Sequence, residues 1–278
     1  MDGKLKTLLK EKARDIRVDI IEMLCAAGSG HPGGSLSMAD IFSYLYFSGE
    51  LNIDAKDPAK KDRDRVVLSK GHACPVLYAA LAEKGYFDKS ELKTLRKYGS
   101  MLQGHPDMNK TPGVDMTTGS LGQGLSCAVG MAIGAKLDRS GIKVFAILGD
   151  GECNEGQIWE AAMAARHYRL DNLIAIVDLN GLQIDGFTKD VMDTTPMADK
   201  WRSFGWKTFE IDGHDLEIID ETIKKAKSVK DSPVCIVANT TKGKGVTFME
   251  DVCDWHGNAP CEEEKDKAIC DICNIDAS

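Results

Sequence analysis

Residues 149–186 read GDGECNEGQIWEAAMAARHYRLDNLIAIVDLNGLQIDG. Two short apolar runs frame the stretch, KVFAIL at 143–148 and LIAIVDL at 173–179, with a helical pattern over 157–170 between them. Strand, helix and strand in this order predict a right-handed crossover between parallel strands. The carboxyl ends of both strands then share one edge of the sheet, where open α/β sheets bind ligands. Asp150 stands at the end of the first strand and Asn180 just after the second, so residues far apart in sequence are expected to meet at one point. A carboxylate, an amide oxygen and a backbone carbonyl are hard oxygen ligands, suited to a Mg²⁺ ion that also bridges a diphosphate. Gly151 permits a sharp turn that brings backbone N–H groups close to phosphate oxygens. G-D-G alone is equally an ordinary β-turn. The strand context and the D-L-N end are what favour a ligand site.

The rest of the chain extends this pattern in both directions. Apolar residues recur at helical spacing over 4–27, and further helices are predicted at 38–47, 75–84, 89–98 and 122–137. The last of these is rich in Gly, Ala and Met, as a closely packed buried helix would be. Downstream, 206–211 and 233–239 (PVCIVAN) read as a third and a fourth strand, with a helix over 216–229 between them. Strands alternating with helices predict an α/β fold, a parallel sheet with helices on both faces, preceded by a long helical section. Order weakens after Gly245, and the charged segment from Glu262 onward reads as a connector or a frayed helix.

Composition narrows the function. Of 278 residues, 43% are hydrophobic and 28% charged, as in ordinary soluble proteins, and the net charge is -8. An acidic surface repels phosphate backbones, which argues against nucleic acid. No apolar run approaches a membrane span, and the charged start lacks a signal-peptide core, so a cytoplasmic location is expected. Nine cysteines, an odd number in a large chain, argue against a disulfide framework.

Four of the six histidines sit in Gly- or Pro-flanked turns: His31 in SGHPGGS, His72 in SKGHAC, His105 in QGHPD and His256 in WHGNAP. A single histidine is more often structural than catalytic. Four in such turns suggest proton relays, or donors to sugar hydroxyls and phosphates. Residues 118–124 (TGSLGQG) form a Gly-rich turn opening a helix, either an anion-binding helix start or a site of close packing.

Together these segments resemble the transketolase family over residues 12–264. The resemblance implies the diphosphate-binding domain of the thiamine diphosphate-binding fold over residues 1–264, with 265–278 as a C-terminal tail. It implies metal ligation by Asp150, Asn180 and the main-chain carbonyl of Leu182, with Mg²⁺ (Ca²⁺ or Mn²⁺ substituting) as the ion. Gly119, Ser120, Leu121, Gly151 and Glu155 would lie at the cofactor, Glu155 also at a subunit interface. His31 and His105 would contact substrate hydroxyls and the cofactor. His72 would lie against the diphosphate, and His256 near both the cofactor and the donor C1 hydroxyl. The implied chemistry is transfer of a two-carbon ketol unit from a ketose phosphate to an aldose phosphate, with the cofactor as electron sink. The family's pyrimidine-binding domain, with the glutamate that activates the aminopyrimidine, has no counterpart in this sequence. A partner C-terminal transketolase subunit is therefore expected to carry it, in an α2β2 assembly. The alternatives are a cofactor-binding homologue without turnover and a subunit of a related thiamine-dependent synthase or dehydrogenase. G-H-P-G and H-G-x-A-P speak for transketolase.

Three further motifs carry less. Residues 28–33 (GSGHPG) match G-x-G-x-x-G, but a helical pattern precedes them where a dinucleotide site needs a strand. KGKG at 242–245 lacks Walker spacing. Cys253, Cys261, Cys270 and Cys273, with His256 nearby, could ligate zinc or be incidental thiols; the spacing is irregular.

Overall fold

The computed structural model describes residues 1–274. Five strands are central: β1 (Arg65–Leu68), β2 (Val144–Gly149), β3 (Leu173–Leu179), β6 (Lys207–Asp212) and β7 (Val234–Asn239). They form one parallel sheet in the order β1-β2-β3-β7-β6. Two-residue strands β4 (Leu182–Gln183) and β5 (Gly186–Phe187) make a separate hairpin. The helices are α1 (Gly3–Ala27), α2 (Gly33–Leu36), α3 (Ala39–Phe47), α4 (Cys74–Lys84), α5 (Gln123–Leu137), α6 (Gly156–His167), α7 (Thr188–Val191), α8 (Met197–Ser203), α9 (Leu216–Ser228) and α10 (Glu262–Asn274).

The continuous apolar runs are explained by burial on both faces of the sheet. Along β2, Phe145 and Ile147 point into a core built with α1, α3, α4 and α9. Val144, Ala146 and Leu148 point into a second core with α5, α6 and α8. Strand β3 alternates in the same way, with Ile174 and Ile176 on one side and Leu173, Ala175 and Val177 on the other.

Besides the added short elements α2, α7, α8 and the β4–β5 hairpin, the fold differs from the sequence expectation in four places. β1 is an additional strand: it is four residues long and has no alternation to reveal it. The expected helix 89–98 is a 3-10 turn over Lys89–Thr94. It ends because Leu95 leaves the helical region at ψ 128° and Arg96 takes φ 63°. Helix α5 is buried along one face only. Leu137 is 77% exposed, and a Cβ at Gly130 or Gly134 would meet nothing within 4 Å. The charged end of the chain forms α10, which packs on α1 and buries Ala268 and Ile272 in the core of that side. We therefore propose that the domain runs through α10 rather than stopping at residue 264; residues 275–278 of the expected tail lie outside the described residues.

Ile272 is 1% exposed, so Ile272→Ala should cost about 2–4 kcal/mol, the usual range for an emptied core position. Truncation after Glu264 should destabilise further. Urea unfolding checks both, and an unchanged midpoint would show that α10 contributes nothing to the core.

Candidate active site

Every strand of the main sheet ends at the same edge, and the loops leaving that edge carry the site. Ser69 to His72 follow β1, Asp150 and Gly151 follow β2, Asn180 to Leu182 follow β3, and Thr240 to Lys242 follow β7. The loop from α1 to α2 brings His31 over the edge. They enclose a cleft of about 240 Å³ lined by His31, His72, Gly119, Leu121, Asp150, Gly151, Asn180, Leu182 and His256 among others.

Asp150 is 2% exposed. Its carboxylate accepts N–H bonds from Gly151 at 2.8 Å and Gly181 at 2.7 Å, which ties the β2 end to the β3 end. Burial, then the Asp178 carboxylate, pushes Asp150 up to about 6 despite those bonds. Asn180 Nδ2 donates to Asp178 at 2.8 Å, which assigns Oδ1 as the atom accepting the Leu182 N–H at 3.1 Å. The Leu182 carbonyl faces Lys242 Nζ at 3.4 Å. A buried carboxylate, an amide oxygen and a carbonyl on one loop pair thus form an oxygen-rich corner, and the raised Asp150 is a group that a cation would relieve.

Three imidazoles close the other side. Ring centroids of His31, His72 and His256 lie 5.2–5.5 Å apart in pairs. Burial chiefly, then Arg96, His105 and Lys242, lowers His31 to about 4. Burial, then Lys242, lowers His256 to about 4, and burial with Lys70 lowers His72. All three are neutral at neutral pH. His256 Nδ1 lies 3.0 Å from Lys242 Nζ. An ammonium can only donate, so Nδ1 accepts and the imidazole proton sits on Nε2. The buried His31 Nδ1 and Gln183 Nε2 have no hydrogen-bond partner, so polar atoms at the cleft are left for a ligand. Gly119 has φ 152°, and a Cβ there would come within 3.1 Å of the His105 ring.

Some expected residues stand outside the cleft. Ser120, His105 and Glu155 are exposed, the last at the start of α6 against Gly122. Lys70, Glu152, Gln183 and Lys242 line the cleft although no sequence motif singles them out as site residues. Lys70 lies two residues before His72, and Glu152 follows G-D-G directly. Lys242 opens the K-G-K-G that lacks Walker spacing. Glu152 is 3% exposed and accepts from Ser69 Oγ and from the N–H groups of Gly122 (2.9 Å) and Gly149 (3.0 Å), joining three cleft loops. Helix α1 precedes the GSGHPG segment, as a non-dinucleotide reading requires. Among the described residues no group of three or more His, Cys, Asp or Glu side chains has metal-site geometry. Cys270 and Cys273 are exposed on α10, and among the described residues no helix is long and apolar enough to cross a membrane.

The family described as "Transketolase, thiamine diphosphate binding domain" matches residues 8–271. The chain belongs to the transketolase family. It is 47% identical over 264 residues to the 6-deoxy-6-sulfo-D-fructose transketolase subunit of Clostridium sp. (strain MSTE9), covering 95% of this chain and 96% of that one. It is 41% identical over 256 residues to an apulose-4-phosphate transketolase subunit of Phocaeicola vulgatus, covering 92% and 90%. The solved transketolase from Leishmania mexicana superposes with a TM-score of 0.89 at 33% identity, over 95% of this chain. The chain spans 41% of that protein's length, whereas it matches the two bacterial subunits nearly end to end.

The depressed His31 has a measurable consequence. Its folded-state value near 4 lies below the ordinary 6.5, so on acidification the unfolded chain binds the proton first. Its neutral form supports folding above about pH 6.5, and that support is lost as pH falls toward about 4. Urea unfolding of the isolated chain should show smaller acid destabilisation for His31→Gln than for the native chain between about pH 7 and about pH 5. Equal slopes would mean that His31 titrates normally.

Proposed function

We propose that the chain is the cofactor-holding subunit of a split transketolase, transferring a two-carbon ketol unit from a ketose phosphate to an aldose phosphate. The observation that carries this reading is the convergence of Asp150, Asn180 and the Leu182 carbonyl opposite three neutral imidazoles in one cleft. Its donor set fits a divalent cation of the Mg²⁺ type: all oxygen, one of them a buried carboxylate whose charge burial disfavours. Asp150, Asn180 and Leu182 would hold that ion. Gly151, Gly119, Leu121 and His72 would border the thiamine diphosphate, which when bound supplies the electron sink for carbon–carbon cleavage.

This chain's own part is binding, orientation and proton handling. Lys242 holds Nδ1 of His256 and leaves the ring proton on Nε2, so this cleft-lining ring keeps a donor for a sugar hydroxyl without itself carrying charge. His31, neutral and with an unpartnered nitrogen, is suited to exchange a proton with a hydroxyl beside it. His105, whose ring packs against Gly119, and Ser120 beside it lie next to a cleft residue and would meet the sugar only where it extends beyond the cleft. Glu155, outside the cleft and exposed, is the residue we assign to a subunit contact. The Clostridium and Phocaeicola relatives are named for ketoses that carry a sulfonate or a phosphate, which supports an anionic sugar as donor.

A partner is part of the proposal. The relatives matched nearly end to end are themselves named as subunits. The outer surface carries large apolar side chains on and near α5, α6 and α7: Leu137, Met163, Tyr168 and Met192 are each more than half exposed. A C-terminal transketolase subunit with the pyrimidine-binding domain would cover them, in an α2β2 assembly. A cytoplasmic enzyme is the setting we assign it.

Asp150→Ala should weaken Mg²⁺-dependent binding of thiamine diphosphate to the assembled enzyme by about tenfold or more. Calorimetry measures this, and unchanged affinity would remove Asp150 from the metal site. His256→Ala should reduce kcat far more than cofactor affinity. Parallel losses would assign His256 a structural role.

A further inference from the structure

His214 lies outside the cleft, in the Asp212-Gly213-His214-Asp215 turn between β6 and α9, and faces a separate cavity of about 410 Å³. Its ring nonetheless bridges two parts of the molecule. Nε2 accepts the backbone N–H of Thr241 at 2.9 Å, which leaves the ring proton on Nδ1. Nδ1 faces Asp40 Oδ2 at 2.8 Å. The Asp40 carboxylate in turn takes two bonds from the Arg17 guanidinium, at 3.2 and 2.6 Å, and Arg17 Nε donates to the Lys244 carbonyl at 3.1 Å. The turn is pressed against the strap that follows β7. Gly213 N–H donates to Asn239 O at 2.8 Å, and a Cβ on Gly213 would lie 2.5 Å from Thr240 Cγ2.

The strap that His214 touches carries Lys242, which lines the cleft. Thr240 Oγ1 donates to the buried Asp178, which also orients the Asn180 amide. Lys242, 2% exposed, directs its ammonium at the Leu182 carbonyl and at His256 Nδ1. We propose that His214 is a positioning residue: anchored by Arg17 and Asp40, it sets the strap at Thr241 and so aims Lys242 at the cleft and Thr240 at Asp178. This rests on the reading of that cleft as the thiamine diphosphate site. The ring is suited to the task because it offers one donor and one acceptor at fixed separation and can make both bonds while neutral. A glutamine amide offers the same pair, whereas a leucine fills the space and leaves the Thr241 N–H unmatched.

The test compares His214→Leu and His214→Gln. In the isolated full-length chain, amide hydrogen exchange at Thr241 and Lys242 should quicken in His214→Leu and return toward native in His214→Gln, with exchange in α1 and β3 unchanged. In the assembled enzyme, His214→Leu should lower kcat by about tenfold to a hundredfold, as displaced catalytic geometry does. Thiamine diphosphate affinity should hold, and His214→Gln should recover most of the turnover. Native exchange at the strap in His214→Leu overturns the contact. Altered exchange with native kcat overturns the positioning role, as does loss of kcat, affinity and stability together in both variants. If the native assembly binds thiamine diphosphate but performs no ketol transfer, the functional reading falls, and the exchange measurement still decides whether His214 holds the strap.

Discussion

The site is organised around one buried carboxylate. Asp178, fully buried near the end of the central strand β3, accepts from Lys70 Nζ, Ser37 Oγ, Asn180 Nδ2 and Thr240 Oγ1. These partners come from the loop after β1, from the α2–α3 region, from the loop after β3 and from the strap after β7. Burial alone would raise this carboxyl, but the Lys70 ammonium and the hydroxyl bonds bring it below the ordinary value. A buried ion pair of this kind adds little net stability compared with an apolar replacement, but losing one partner leaves an uncompensated charge. Its value here is geometric. One anion fixes the Asn180 amide, the Lys70 side chain and the strap at the same time, and it adds to the burial that chiefly raises the neighbouring Asp150.

Much of this could be read in the sequence because it depends on local order along the chain. The runs KVFAIL and LIAIVDL, with a helix between, place Asp150 and Asn180 at one sheet edge, and the structure has both there. Glycine-flanked turns put His31, His72 and His256 over that edge. The residues that no motif betrays act through long-range pairing, which leaves no periodic trace. Lys70 meets Asp178 across 108 positions, and His214 meets Asp40 across 174. β1 is too short to show alternation. The amphipathic character of α10 is hidden by its charge, since only Ala268 and Ile272 are buried.

The apolar outer face of α5 has a related cause. A helix of Gly, Ala and Met without a polar face reads as buried, yet here one side is open. The composition suits a surface covered in an assembly. The same follows for Met163 and Tyr168 on and beside α6 and for Ile184, Phe187 and Met192 in and beside the β4–β5 hairpin. Scattered apolar residues are normal on a monomer, and of these only Ile184 lines the cleft. On the proposed function, the cleft and the apolar surface would be two parts of one arrangement, this chain holding the metal and diphosphate and a second chain closing the site.

The most direct measurement is a ketol-transfer assay of this chain, purified and supplied with thiamine diphosphate and Mg²⁺, alone and together with a chain carrying the pyrimidine-binding domain. The account predicts no turnover from the chain alone and turnover once the two are combined. Full activity from the isolated chain would contradict it.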